Sequence, residues 1–306
     1  MRSIRTRWLR YSADGGGVTR FAPSPTGYLH LGHAFSALTA FQFAKQGGGR
    51  FLLRIEDIDP ERCRPEYESA IYEDLAWLGL RWEMPVRRQS EHVKEYTSVL
   101  ERLKALHVVY PCFCSRKQVA ILGRVSGQGE NEPLYPGVCR QLSSSAARDR
   151  IARGELPCWR LDAQKAAAIT GPLFWWDRNA GRVAVQPEDY GDVVIARRDV
   201  STSYHLSVTL DDHVQGITHV VRGQDLFGVT AIHRTLQALL GFGVPEYFHH
   251  QLLLDARTGR KLSKRDRSAS LRSLRLQGVR PEEWIRSLEA ESPTGGLPLS
   301  RLFIEP

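Results

Sequence analysis

A chain of 306 residues, 42% hydrophobic and 25% charged, is long enough for one or two domains with proper cores. It holds no apolar run of about 18 residues, which excludes a membrane-spanning helix, and its start, M-R-S-I-R-T-R-W-L-R, lacks the apolar stretch of a secretory signal. The formal charge of +8 favours polyanionic partners. The five cysteines, odd in number and without an export signal, point to metal ligation or burial rather than disulfides.

Residues 1–17 read as a basic tail closed by G15-G-G17, an organelle transit segment being the alternative. V18-T-R-F-A22 reads as a short strand broken by P-S-P-T-G27. H30 to K45 has apolar residues at helical spacing and ends at G47-G-G49. R50-F-L-L-R-I-E56 is a mostly apolar run, as in a buried parallel strand, and Glu66–Leu78 is a second helix. This alternation predicts a doubly wound α/β sheet. Residues 110–189 hold four of the five cysteines and lose the alternation, as an insertion would. G191-D-V-V-I-A196, Y204-H-L-S-V-T-L-D-D212 and I217-T-H-V-V-R222 read as strands, and Leu226–Leu240 as a helix. Short helices are expected over Ser270–Gln277 and Glu282–Ala290.

Three clusters carry chemistry. In H30-L-G-H33 two histidines share the first turn of a helix. Gly32 permits close approach to the backbone, and the helix start is a natural anion site. In R260-K-L-S-K-R-D266 two lysines three apart can hold polyphosphate. C112-F-C-S115 and L134-Y-P-G-V-C-R140 supply three thiols. Three thiolates can bind Zn²⁺ with one further donor, for which the residues alone suggest water or histidine. Metal-free burial of these cysteines is the alternative. Cys63 and Cys158 show no partner pattern.

Together, His-Leu-Gly-His and Lys-Leu-Ser-Lys resemble the two signatures of class I aminoacyl-tRNA synthetases, with Leu262 in place of the usual Met and Arg265 in place of the final Ser. R20-F-A-P-S-P-T-G27 and L53-R-I-E-D-I-D59 are similar to the glutamate-specific branch. The resemblance implies a Rossmann-type catalytic domain, with His30, His33, Lys261 and Lys264 as catalytic residues. It implies ATP, with Mg²⁺, on His30, Gly32, His33 and Lys264, and L-glutamate on Arg20, Ala22, Ser24, Glu56, Tyr204 and Arg222. A guanidinium fork suits a carboxylate and Glu56 suits an ammonium. Cys-x-Cys…Tyr-x-x-x-Cys resembles the zinc site of the glutamyl-Q tRNA(Asp) synthetases, a shortened family. It implies one structural Zn²⁺ on Cys112, Cys114, Tyr135 and Cys139.

The expected organisation is a tail (1–17), a first Rossmann half (18–109), a zinc-bearing insertion (110–189), a second half (190–255) and a lysine-loop and short helical region (256–306). Only 42 residues follow Lys264, too few for a separately cored anticodon-binding domain. The resemblance implies a cytoplasmic, monomeric ligase that activates glutamate and transfers it to the queuosine base in the anticodon arm of tRNA(Asp). The alternatives are a truncated enzyme charging a tRNA 3′ end, a catalytically silent RNA-binding relative, and a nucleotidyltransferase acting on a small molecule.

Overall fold

The computed structural model describes residues 16–122, 134–253, 270–283 and 285. In chain order the elements are β1 (Val18–Phe21), α1 (Leu31–Gln46), β2 (Arg50–Ile55), α2 (Pro65–Trp77), β3 (Glu83–Arg88), α3 (Val93–Ala105), β4 (Val109–Cys112), α4 (Arg116–Leu122), α5 (Ser144–Ala152), β5 (Cys158–Leu161), α6 (Ala163–Thr170), β6 (Phe174–Asp177), β7 (Gly181–Ala184), α7 (Pro187–Tyr190), β8 (Val194–Ala196), α8 (Tyr204–Val214), β9 (His219–Gly223), α9 (Thr230–Leu240), β10 (Glu246–His250) and α10 (Leu271–Leu276). They form two compact units. One comprises Met1–Gln89, Ile217–Gln224 and Tyr247–Pro306; the other comprises Ser90–Gly216 and Asp225–Glu246.

The first unit contains the expected alternation. β1 and β2 pair in parallel, Val18 opposite Arg50 and Phe21 opposite Leu53, and β2 pairs in parallel with β3. All four residues of β1 and five of six in β2 are buried, as strands covered on both faces must be. β9 lies on the other side of β1, where the Thr218 amide donates to the Val18 carbonyl at 3.0 Å, and β10 is its neighbour. α1 buries mainly small residues, Ala34, Ala37, Ala40 and Ala44, which lets it sit close to the sheet; the Thr19 hydroxyl donates directly to the Ala40 carbonyl. α10 begins where expected, with the Ser270 side chain capping the Ser273 amide. The expected helix over 282–290 lies largely outside the described residues.

The second unit is built differently. β5 pairs antiparallel with β4 on one edge and with β8 on the other, and β6 and β7 form an antiparallel hairpin. Val194–Ala196 is a strand as expected, and its partner is β5. Tyr204–Val214, expected as a strand, is a helix. Leu206, Val208 and Leu210 alternate and mimic a strand, but every residue from Leu206 to Asp212 is buried. A helix buried all round shows no polar face to reveal its period. The deciding signal is local: the Ser203 side chain caps the Leu206 amide. Asp211 is tolerated inside because Tyr96 donates to its carboxylate at 3.0 Å. No helix among the described residues is long and apolar enough to cross a membrane.

A buried carboxylate ties α10 to α2. Asp74 has no exposed surface, burial pushes its carboxyl group up, and the Arg275 guanidinium lies 3.2 Å away. Removing one partner of a buried pair strands the other charge. Arg275→Ala is therefore expected to lower unfolding stability by about 3 kcal/mol, read as a shift in the urea midpoint.

Candidate active site and metal centre

Five of the six residues expected to hold glutamate, Arg20, Ala22, Ser24, Glu56 and Arg222, lie at or near the carboxyl ends of the first unit's strands, where open α/β sheets bind ligands. Arg20 lies in β1, is buried, and donates to the Val221 carbonyl at 3.4 Å, one residue before Arg222 in β9. Glu56 follows β2 directly, and its amide donates to the Pro23 carbonyl, which brings it beside the turn carrying half-buried Ala22 and exposed Ser24. Two partners escaped sequence reading. Arg54, fully buried, donates to Glu56 at 3.2 Å, and Arg222 donates from Nε to His249 at 3.1 Å. Arg54 stands inside L53-R-I-E-D-I-D59, one strand period from Glu56; His249 had no signal beyond its type.

His30 is the N-cap of α1 rather than its first residue. Its Nδ1 accepts from the Gly32 amide at 3.1 Å, and His33 Nδ1 accepts from the His30 amide at 3.2 Å. The two rings lie 3.8 Å apart. Because both Nδ1 atoms accept, each neutral ring carries its proton on Nε2. Both imidazoles thus act as donors at a helix N-terminus, a setting suited to phosphate. Lys261 and Lys264 lie outside the described residues. Six residues beyond Lys264, Ser270 forms a β-bridge with His30, and the Leu271 amide donates to the Leu29 carbonyl at 2.9 Å.

Tyr204 belongs to the second unit and opens α8 behind its Ser203 cap. Its ring packs edge-on against His205 and His233, whose facing nitrogens are 3.3 Å apart.

The second unit also gathers the candidate metal ligands. Cys112 ends β4, Cys114 follows it, and Cys139 sits on a 3-10 turn, Val138–Gln141, set off by the left-handed Gly137. The three sulfurs all lie within 4.8 Å of one another, and tetrahedral Zn–S bonds need about 3.8 Å. The Tyr135 hydroxyl is 3.4 Å from Cys114 Sγ and accepts from the Cys139 amide at 2.8 Å. Among the described residues no histidine or carboxylate joins this cluster, so of the two side-chain donors considered for the fourth position the structure offers the tyrosine. Hydrogen bonding from Cys158, opposed by burial and helped by Tyr135 and Arg160, brings the Cys112 thiol down to about 4. Burial pushes Cys114 and Tyr135 up. Cys158, without a pattern in sequence, faces Cys112 across the β4–β5 ladder and donates to its carbonyl at 3.4 Å.

Residues 18–290 match the family described as tRNA synthetases class I (E and Q), catalytic domain. The chain belongs to this family of ligases. It is 46% identical over 276 residues to a glutamyl-Q tRNA(Asp) synthetase of Rhodobacter capsulatus, covering 87% of this chain and 97% of that one. It is 38% identical to a glutamate–tRNA ligase of Aquifex aeolicus, covering 86% of this chain and 54% of that one. A glutamate tRNA ligase from Elizabethkingia meningosepticum, solved in complex with its amino acid, superposes with a TM-score of 0.76 at 27% identity, over 93% of this chain and 62% of that one.

Gly32 is required by its neighbour. A Cβ there would lie 3.0 Å from His30 Cε1 and 3.2 Å from Nδ1. Gly32→Ala is expected to push the imidazole off the helix start and cost about 1 kcal/mol of capping. The denaturation midpoint reads this loss, and an unchanged midpoint would show that the ring gives way freely.

Proposed function

We propose that the protein activates L-glutamate with ATP and transfers it to the queuosine base at the wobble position of tRNA(Asp). The observation that carries this reading is the full-length match to a relative bearing that name, 97% of whose length is covered. The thiol-and-tyrosine cluster supports it.

In the first step a glutamate α-carboxylate oxygen attacks the α-phosphorus of ATP. An O–P bond forms, the bond to the bridging oxygen breaks, and pyrophosphate leaves with the electron pair. Such chemistry needs positioning and charge neutralisation more than covalent help. Arg20 and Arg222 present guanidinium groups for the γ-carboxylate, and Glu56, steadied by Arg54, accepts from the α-ammonium. His30 and His33 donate from Nε2 to phosphate oxygens, with Lys261 and Lys264 adding positive charge. In the second step a hydroxyl of the queuosine cyclopentenediol attacks the carbonyl carbon, AMP leaves, and the hydroxyl proton passes to solvent or phosphate. Gly32 borders the nucleotide, and Ala22 and Ser24 the amino-acid backbone.

Cys112, Cys114, Cys139 and Tyr135 would hold one zinc ion, which ties the end of β4 to the 135–139 turn and takes no part in the transfer. Purified without chelator under reducing conditions, the protein is expected to contain about one zinc per chain by elemental analysis; a metal-free preparation would refute the site.

The deciding experiment supplies labelled glutamate and ATP with queuosine-containing tRNA(Asp), the same tRNA bearing guanosine, or tRNA(Glu). Label is expected on the first alone and in its anticodon fragment after nuclease digestion. Label on tRNA(Glu) would instead establish 3′-end charging, the reading favoured by the glutamate–tRNA ligase relatives.

A further inference from the structure

We propose that Arg160 is the counter-charge of the metal centre and the residue that positions Tyr135 as its fourth ligand. This rests on the zinc reading above. Two features of the second unit, each unexplained alone, account for one another.

The first is a buried cation. Arg160 is only 9% exposed. Among the described residues no carboxylate forms an ion pair with it. The nearby Asp192 carboxylate is already held by Tyr110 at 2.5 Å, Arg140 at 3.2 Å and the Ala163 amide at 3.0 Å. Arg160 Nη1 donates instead to the Asp192 backbone carbonyl at 2.7 Å, and its buried Nε has no hydrogen-bond partner. A buried guanidinium without a counter-ion is costly, and one with an idle N–H more so.

The second is the charge of the ligand set. Three thiolates and a phenolate around a dication carry a formal charge of about −2, inside the protein. Such a centre requires cations or donors outside its ligands.

The register brings the two together. Tyr110 faces Arg160 and Cys112 faces Cys158 across the β4–β5 ladder. Residues two apart on a strand share a face, so Cys112, Cys158 and Arg160 crowd one side of the sheet, beneath Tyr135. The Arg160 guanidinium lies 4.0 Å from the Tyr135 ring centroid, where a cation on an aromatic face is attractive, and it interacts electrostatically with Cys112. It holds the phenol ring from one side, while the Cys139 amide fixes the hydroxyl from the other. The ladder to β8 is irregular between Trp159 and Arg160, at the residue that must reach the centre.

The test compares the full-length wild type with Arg160→Met and Arg160→Lys. Zinc affinity is measured by competition with the chromophoric chelator 4-(2-pyridylazo)resorcinol, and the ligand field by the spectrum of the cobalt-substituted protein. Arg160→Met is expected to weaken zinc binding about 10- to 100-fold and to shift the cobalt d–d bands as the tyrosine disengages. Arg160→Lys keeps charge but not the planar stack, and recovers part of the affinity. A melting temperature that falls while affinity and cobalt spectrum stay at wild-type values would reduce Arg160 to a packing residue and overturn the proposal. If Arg160→Met fails to fold, Arg160→Lys decides alone: wild-type affinity and spectrum overturn the proposal, and a loss in both upholds it. A wild type that takes up neither metal would bring down the zinc reading itself, an outcome distinct from a metal-loaded wild type with unaffected variants.

Discussion

Strand β1 is clamped from both sides by backbone that admits no side chain, and the arrangement of the first unit follows from that clamp. A Cβ on Gly17 would lie 2.5 Å from the His219 ring, and one on Gly49 would lie 2.0 Å from the Gly17 carbonyl. This closeness lets the Arg50 amide reach Gly17 and the Thr218 amide reach Val18, with partners about 30 residues away on one side and 200 on the other. β1 therefore stands where chain order reverses across the sheet, and the crevice at its carboxyl end is the place for a ligand. Arg20 sits near that end, α1 presents its amino terminus just beyond, and β2 and β9 deliver Glu56 and Arg222 alongside. Gly16 and Gly17, from the run read in sequence as a tail boundary, lie against Gly48 and Gly49, from the run read as a helix stop.

Sequence reading succeeded where local chemistry and long-range packing agree. β1, α1, β2 and α2 carry caps, glycine stops and apolar runs that point one way. It failed where burial erased periodicity. Tyr204–Val214 looks like a strand because its apolar residues alternate, yet its polar residues are buried too, each with a specific partner such as Tyr96 for Asp211. It also missed residues whose role exists only across a ladder. Cys158 and Arg160 are some twenty residues from Cys139 in sequence and had no spacing to betray them; the register of β5 on β4 makes them neighbours of the thiols.

The candidate metal centre is built the opposite way from the candidate nucleotide site. In the first unit, functional groups project from strand ends and helix starts, where backbone N–H groups already face a ligand. In the second, the ligands are gathered on the face of a small antiparallel sheet and on a turn folded over it. The Phe113 amide after β4 donates to Cys139 Sγ at 3.5 Å and so joins the two halves, while within the turn the Cys139 amide donates to the Tyr135 hydroxyl at 2.8 Å. A metal ion adds a crosslink to a preformed pocket, which suits a structural centre in a segment whose sheet has only three short strands.

Several buried charges in both units are met by a complement. Arg54 has Glu56, Asp74 has Arg275, and Asp192 has Tyr110 and Arg140; each burial is matched by a partner of opposite charge or a strong donor. Arg160 departs from this rule by pointing a cation at sulfur and a phenol ring. A guanidinium buried in apolar surroundings costs stability unless complementary charge faces it. A ligand set of thiolates and a phenolate, as the proposed zinc site would have, supplies the negative charge that the position of Arg160 calls for. The sulfurs and the Tyr135 hydroxyl already lie close to one another, so the proposed zinc would change the charge of this cluster more than its shape.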